Sequence, residues 1–419
     1  MIIPRLALLS LWNRRGTVLL TVCGIAVSVA LLLGVQKIRT DLRTGFANTI
    51  SGADLIVGSR SGPVNLLLYS IFRIGDATNG VSWGIYRRIA AHPEVAWTIP
   101  LSLGDSHRGY RVLGTNGDYF AHYRFAQSRV LEFAAGGPFI RRHDAVLGAD
   151  VAAALRYTLG QSITLAHGVG EVSFANHDDL PFVVTGILAR TGTPADRTVH
   201  VSLDAIEALH AREEAPAPPE GAAHDEGHSL DAALTPDSIT AFIVGLKGRS
   251  AAFQIQRDIN EFRGEPLLAI LPGVTLQQLW QVVGIAEAAL LVVAGCVVFA
   301  GLLGMLTAVL TSLNERRREM AILRSVGARP GHVFLLMMSE AALLGGAGVI
   351  VGIALLHATV AVATPWLESR YGVFLSGNGI TAFELLTGAG VVVAAVLAGA
   401  LPAWRAYRNT LADGLTLRV

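Results

Sequence analysis

Four long stretches almost free of charge constrain this chain more than any other feature. Thr17–Gln36, Ala288–Asn314 and Leu385–Trp404 carry no charged residue, and Val333–Leu367 carries one carboxylate, Glu340. A helix crosses the bilayer core in about 20 apolar residues. Lipid offers the backbone no hydrogen-bond partner, so a single segment inside it has to be helical. Four transmembrane helices are therefore expected. Composition agrees: 52% of residues are hydrophobic and 16% charged, too apolar a balance for an ordinary soluble enzyme. The formal net charge of +1 gives no global attraction for nucleic acid. Arg5, Arg14 and Arg15 precede the first run. A charged start before an apolar run also describes a signal peptide, but no convincing small-x-small cleavage site precedes Lys37, so an uncleaved anchor is expected.

Arginines fix the orientation. Arg5, Arg14, Arg15, Arg316, Arg317, Arg318, Arg324, Arg329, Arg405, Arg408 and Arg418 fall on one side of a four-span topology, against Arg370 alone in the short loop opposite. The positive-inside rule then puts both termini in the cytoplasm. The expected divisions are residues 1–38 for the N-terminal segment and first span, and 39–282 for a large extracytoplasmic domain. Then come 283–314 for the second span, 315–332 for a cytoplasmic segment, 333–367 for the third span, 368–382 for an outer loop, and 383–419 for the fourth span and tail. The outer domain reads as mixed α/β. Helix continues out of the first span over Ile38–Ser51, and Ala53–Gly58 is strand-like. Ala145–Leu165 reads strand, helix, Gly turn, strand; Phe182–Leu188 and Thr240–Leu246 read as strands, and Ala251–Phe262 as a helix. Pro63–Phe72 is greasy yet too short to span; it lies on the membrane surface, packs on the spans, or is a buried core helix. Cys23 and Cys296 both fall inside spans, so no disulfide framework holds the outer domain.

The cytoplasmic segment 315–332 is the most charged run of the second half of the chain. As a helix it aligns Met320, Leu323 and Val326 on one stripe with Ile322 beside it, while Arg317 and Arg324 share the opposite face. Gly327 and Pro330 end it. A short, basic, amphipathic helix tethered between two spans either fixes topology and touches lipid headgroups or docks on a partner. The chain has no Gly-x-x-x-x-Gly-Lys-Ser/Thr loop, no Gly-x-Ser-x-Gly and no His-Glu-x-x-His. It is therefore expected to be non-catalytic, with any ATP-driven work supplied by a separate subunit.

The wording of Glu315–Ala328, ERRREMAILRSVGA, resembles the coupling-helix signature of FtsX-like permeases of ABC transporters, the MacB-type (type VII) group. Ala145–Leu165, Phe182–Leu188 and the Thr191–Leu203 segment (TGTPADRTVHVSL) resemble the extracytoplasmic domain of MacB-type permeases, and Leu401–Arg408 (LPAWRAYR) resembles the usual end of FtsX-like chains. The resemblance implies a helical membrane protein with four spans and a MacB-like α/β periplasmic domain between the first two. It also implies a bacterial inner-membrane location and two copies of a separate ABC ATPase that bind ATP and Mg²⁺. A second permease copy is implied, as homodimer or homologous heterodimer, and a periplasmic partner protein fits the same scheme. Mechanotransmission follows, with cargo exported or extracted at the outer face. Arg316, Arg317, Arg318, Glu319, Met320, Ile322, Leu323, Arg324 and Gly327 would form the ATPase-coupling site, the arginines pairing with carboxylates and the apolar residues filling a groove. The alternative within the resemblance is a signalling scaffold that regulates a periplasmic cell-wall hydrolase; members of that kind carry a much smaller outer domain.

Two further features carry chemistry. Residues 209–238 are rich in Pro, His, Asp and Glu and read as a flexible insertion. Within it His210, His224, Asp225 and His228 form a candidate ligand set for Zn²⁺, with a solvated low-complexity loop as the alternative. In the spans, Glu287 and Glu340 lie near predicted ends, where snorkelling accounts for them. His357 lies deeper and is expected to bond a neighbouring helix. Gly348 and Gly352 form a small-xxx-small pair suited to close helix packing.

Overall fold

The computed structural model describes residues 7, 9, 11–12, 14–126, 128–167, 175–176, 181–214, 235–315, 322, 325, 327–371 and 379–408. They divide into two units, one of residues 1–41, 283–366 and 375–419, the other of residues 42–282 and 367–374.

Four helices are long and apolar enough to cross a membrane: α1 (Arg15–Thr49), α6 (Pro272–Glu315), α7 (Pro330–Tyr371) and α8 (Ala382–Arg408). Each runs past its uncharged stretch, because the polar residues that follow are also good helix formers. The third continues to Tyr371, into the region expected as outer loop. Within the first unit, Ile25, Val29 and Leu33 of α1 pack with Met305 and Val309 of α6, Ala341, Leu344 and Leu356 of α7, and Val391 and Ala395 of α8. Gly348 and Gly352 seat α1 against α7. A Cβ at Gly348 would lie 2.5 Å from Ile25 Cγ2, and one at Gly352 would lie 2.8 Å from the Ala26 carbonyl oxygen. Hydrophobic burial gives no advantage between helices already in lipid, so this close approach is the packing gain available.

Polar groups in this unit are paired across helices. Ser28 Oγ donates to Gly24 O (2.8 Å) and reaches Val297 O on α6 (3.2 Å). Glu287 does not snorkel outward; it pairs with Arg39 at 2.9 Å, tying α6 to α1. Glu340 also departs from the snorkelling expectation, being 4% exposed and hence covered by protein. His357 bonds Glu384 of α8 as expected, Nε2 to Oε2 at 3.2 Å. Glu384 and Thr381 form a reciprocal cap at the start of α8, with Glu384 N on Thr381 Oγ1 (3.2 Å) and Thr381 N on Glu384 Oε2 (3.3 Å).

The second unit is a mixed α/β domain. Its sheet has as main path β1 (Leu55–Ser59), β2 (Val95–His107), β3 (Tyr110–Thr115), β4 (Phe133–Gly136), β5 (Asp144–Leu147), β6 (Phe182–Leu188), β7 (Thr198–Ser202), β8 (Ala241–Leu246) and β9 (Leu267–Ile270). These lie in the order β9-β1-β8-β2-β3-β7-β5-β6-β4. β3 with β7 and β5 with β6 are parallel; the other neighbours are antiparallel. Successive side chains of a strand point to opposite faces, and β1, buried along its whole length, uses both. Ile56 joins Ile99, Leu101, Ile243 and Ile270 on one face, while Leu55 and Val57 join Phe242, Val244, Leu267 and Ala269 on the other. That second face is covered by α2 (Trp83–Ala90) and α5 (Ala252–Asn260), which present Tyr86, Ile255 and Ile259.

The first face is covered by Pro63–Phe72, a helical turn running into a π-turn, with Leu66, Leu67, Tyr69, Ile71 and Phe72 buried. Its greasiness is therefore that of a core helix, not of a membrane-surface segment. A third cluster gathers Val112, Val146's neighbours Ala145 and Leu147, Val184, Val199 and Val201 under α3 (Ala149–Leu155) and α4 (Leu203–Glu214).

Candidate coupling segment and the seat of the first helix

The segment joining α6 to α7 is where the sequence puts the coupling site. Of its predicted residues, Arg316, Arg317, Arg318, Glu319, Met320, Leu323 and Arg324 lie outside the described residues. Ile322 is described and is 53% exposed, an apolar side chain facing outward between two long helices. Ser325 Oγ donates to Ile322 O (2.8 Å), a helix-like local bond. Gly327 takes φ +103°, a conformation that favours glycine and stops the turn. Pro330 then opens α7 at its first position, where its missing N–H costs nothing. His332 supports that start, since Nδ1 accepts from Arg329 N at 3.3 Å.

At its other end α1 is held by the α/β domain. Phe46 lies 4.3 Å from the Phe72 ring and 5.5 Å from the Trp280 ring of α6, and Arg43 sits over Trp280. Tyr123 Oη donates to Thr49 O (2.5 Å). The backbone adds Ala126 N to Asn48 O and Ser51 N to Arg124 O, both 2.8 Å. Tyr123 stacks on Tyr119 (4.9 Å, 22°), and Arg73, left-handed at φ 60°, hydrogen-bonds the Ser70 carbonyl and brings its charge near both phenols. Burial shapes the electrostatics here. It pushes the Tyr119 phenol up to about 12 despite Arg73, raises Tyr123, and lowers Arg73. His200 on β7 is fully buried, bonds the Val146 carbonyl through Nδ1, and is pushed down to about 3 by burial and then by Arg73.

Beside this cluster lies the Thr191–Asp196 turn. Asp196 is fully buried and accepts from Thr191 N, Thr191 Oγ1 and Gly192 N at 2.7–3.0 Å. Burial raises its pKa, partly offset by those bonds. Gly148 lets the start of α3 press on this turn, since a Cβ there would overlap the carbonyl oxygens of Ala195 and Asp196. Sequence reasoning read the turn but not the cluster, whose members Thr49, Arg73, Tyr123 and His200 show no shared spacing.

For the predicted metal ligands, His210 falls on α4 with its side chain outside the described residues, and His224, Asp225 and His228 lie wholly outside them. Among the described residues no group of three or more His, Cys, Asp or Glu is placed to hold a metal.

Four helices long and apolar enough to cross a membrane, with an α/β domain inserted after the first, define the class as a multi-pass membrane protein. The profile of the MacB-like periplasmic core domain matches residues 18–261, more than half of the chain, and that of the FtsX-like permease C-terminal region matches residues 291–411. The chain belongs to the FtsX-like permeases with a MacB-like periplasmic core domain. These are permease subunits of ABC transporters, a generally non-catalytic part that works with ABC ATPases. Among solved structures, the periplasmic region of MacB from Actinobacillus actinomycetemcomitans is 10% identical, with 55% of this chain and 94% of that one covered, at a TM-score of 0.35. The extracellular domain of the noncanonic ABC-type transporter YknZ from Gram-positive bacteria is also 10% identical, covering 52% and 99%, at a TM-score of 0.31. No curated protein matches.

Proposed function

We propose that this chain converts ATP hydrolysis by a separate ATPase into movement of its extracytoplasmic domain, and so drives export or extraction of a cargo at the outer face of the bacterial inner membrane. The observation that carries the reading is the length and continuity of two helices. α1 has 35 residues and α6 has 44, about 52 and 66 Å at 1.5 Å per residue, against a hydrocarbon core of about 30 Å. Both therefore extend well beyond what spanning requires. They are bonded to each other at Ser28–Val297 and Arg39–Glu287, and packed together at Phe46–Trp280. A paired, unbroken helix transmits displacement along its axis; a loop absorbs it. The ATPase docks on the Glu315–Pro330 segment through Arg316, Arg317, Arg318, Glu319, Met320, Ile322, Leu323 and Arg324, with both chain termini on the same, cytoplasmic side. Two ATPase copies call for two permease copies.

The test is co-expression with the ATPase. The assembled complex is expected to hydrolyse ATP, and the purified chain alone to hydrolyse none. Leu323→Asp or Arg324→Glu puts a wrong or unpaired charge into the contact and is expected to cost about 2–5 kcal/mol of interface energy, abolishing co-purification at normal membrane insertion. Normal complex formation by both variants would move the docking face elsewhere.

A further inference from the structure

Helices α2 and α5 cover the same face of the sheet and carry the same stripe, Ile85-x-x-Arg88-Ile89 on one and Ile255-x-x-Asp258-Ile259 on the other. Between them lies a cleft of about 250 Å³. Its walls are Ile85 and Ile89, Ile255 and Ile259, with Phe262 and Leu267, all parts of one apolar cluster. Protein interiors leave few voids larger than a water molecule, so an apolar-walled opening of this size stands out. Water inside it finds few partners, and an apolar group that displaces such water gains affinity. The volume falls below the roughly 300–1,000 Å³ of drug-sized sites, which sets the scale of a ligand at a single amino acid.

The lips of the cleft are charged, with opposite signs. Arg88 and His92 stand on the α2 side and Asp258 on the α5 side, all three exposed. Arg88 Cζ lies 5.4 Å from the centre of the Phe262 ring. Stacking occupies the face of a guanidinium and leaves its edge free, so Arg88 is held at the cleft with its N–H fork available. That fork matches a carboxylate. His92 Nδ1 accepts from Glu94 N (3.3 Å), which leaves Nε2–H as a further donor on the same lip. Asp258 precedes Phe262 by four residues, one turn along the same face, or about 5–6 Å. Arg88 and Asp258 are therefore within reach of one small molecule, and among the described residues neither is in an ion pair. A fatty acid would bring its carboxylate to Arg88 but set it beside Asp258 as well; an ammonium on the neighbouring carbon offsets that repulsion. We propose that this cleft binds a free apolar α-amino acid of leucine or phenylalanine size. Its side chain lies between the isoleucines, its carboxylate on Arg88 and its ammonium on Asp258.

The site goes beyond the coupling function proposed above and does not depend on it; its test needs neither ATPase nor nucleotide. Equilibrium dialysis of labelled L-phenylalanine against the full chain in nanodiscs, with empty nanodiscs subtracted, is expected to show one saturable site per chain. Hydrocinnamate lacks only the ammonium and phenethylamine only the carboxylate; each should bind about tenfold more weakly or worse, the loss of one charged hydrogen bond. Arg88→Gln should weaken phenylalanine by the same factor and not weaken phenethylamine. Asp258→Asn should weaken phenylalanine and tighten hydrocinnamate, an opposite response that a general loss of folding cannot give. Ile85→Trp, which fills the cleft from its half-buried wall, should abolish binding of all three at an unchanged melting temperature. Absence of saturable phenylalanine binding in the parent, up to the solubility of the probe, overturns the site. So does equal binding of phenylalanine and hydrocinnamate, or phenylalanine binding that survives undiminished in either Arg88→Gln or Asp258→Asn.

Discussion

Asp196 and His200 sit four residues apart and are both fully buried, yet burial acts on them in opposite directions. Asp196 is kept in place by the donors that surround it. Asp196→Ala leaves the half-buried Thr191 N, Thr191 Oγ1 and Gly192 N without their acceptor, an expected loss of about 1–3 kcal/mol, read as a lowered melting temperature. His200 has a folded pKa of about 3 against 6.5 for the free side chain, so the unfolded chain binds its proton first. Its contribution is complete above pH 6.5 and is lost as pH falls from there toward 3. At pH 5 the loss comes to about 2 kcal/mol. Asp196 has the other sign: its raised folded pKa means that stability returns as pH falls through that value. The two are separated by comparing the parent with His200→Phe in melts at pH 7.5 and 5.0, where the variant should lose less on acidification. Equal losses would mean that His200 is not the group being titrated. The sequence marked the turn around Asp196 by its wording, but nothing in it marked His200, because a lone histidine in an apolar strand carries no pattern.

Elements were legible in proportion to the length of their signal. The four long helices declare themselves by hydropathy sustained over many residues, and β6 by clean alternation, with Phe182, Val184 and Leu188 buried and Val183 exposed. β2 was not legible as the 13-residue strand it is, because Pro100 and Gly104 suggest breaks. The structure carries the strand through, pairing Pro100 with Phe242 and absorbing the irregularity as a register shift between Leu103 and Ser106. Pro63–Phe72 was ambiguous because a buried turn and a membrane-surface turn have the same composition; contacts with the sheet decide it. Among the helices, the glycine pair gives the sharpest expectation. Gly348→Leu and Gly352→Leu should each cost about 1–3 kcal/mol by pushing α1 away from α7, measured by denaturant titration in detergent. Gly346→Ala, where an added Cβ meets nothing within 4 Å, should be neutral and serves as control.

At the scale of the whole molecule, the sequence also carries an expectation on the segment that includes His210, His224, Asp225 and His228. Titrating the full chain with Zn²⁺ is expected to give weak, exchangeable binding that falls as pH drops through about 6.5, since only neutral imidazole ligates. His224→Ala/His228→Ala should remove the heat of binding; an unchanged isotherm would leave the segment as a linker. The sheet order has a separate consequence, for how the protein is made. β1 is among the first parts of the α/β domain to leave the ribosome, yet both its neighbours, β8 and β9, come from the far end of that domain, with Leu55 facing Val244 and Ile56 facing Ile270. Until Ile270 has been synthesised and carried across the membrane, the five buried residues of β1 have no complete sheet to enter. Translocation, and not local folding, thus sets the earliest moment at which this domain can close, and a nascent chain stalled before Leu267 should be held by periplasmic chaperones and cut by proteases that spare the finished protein.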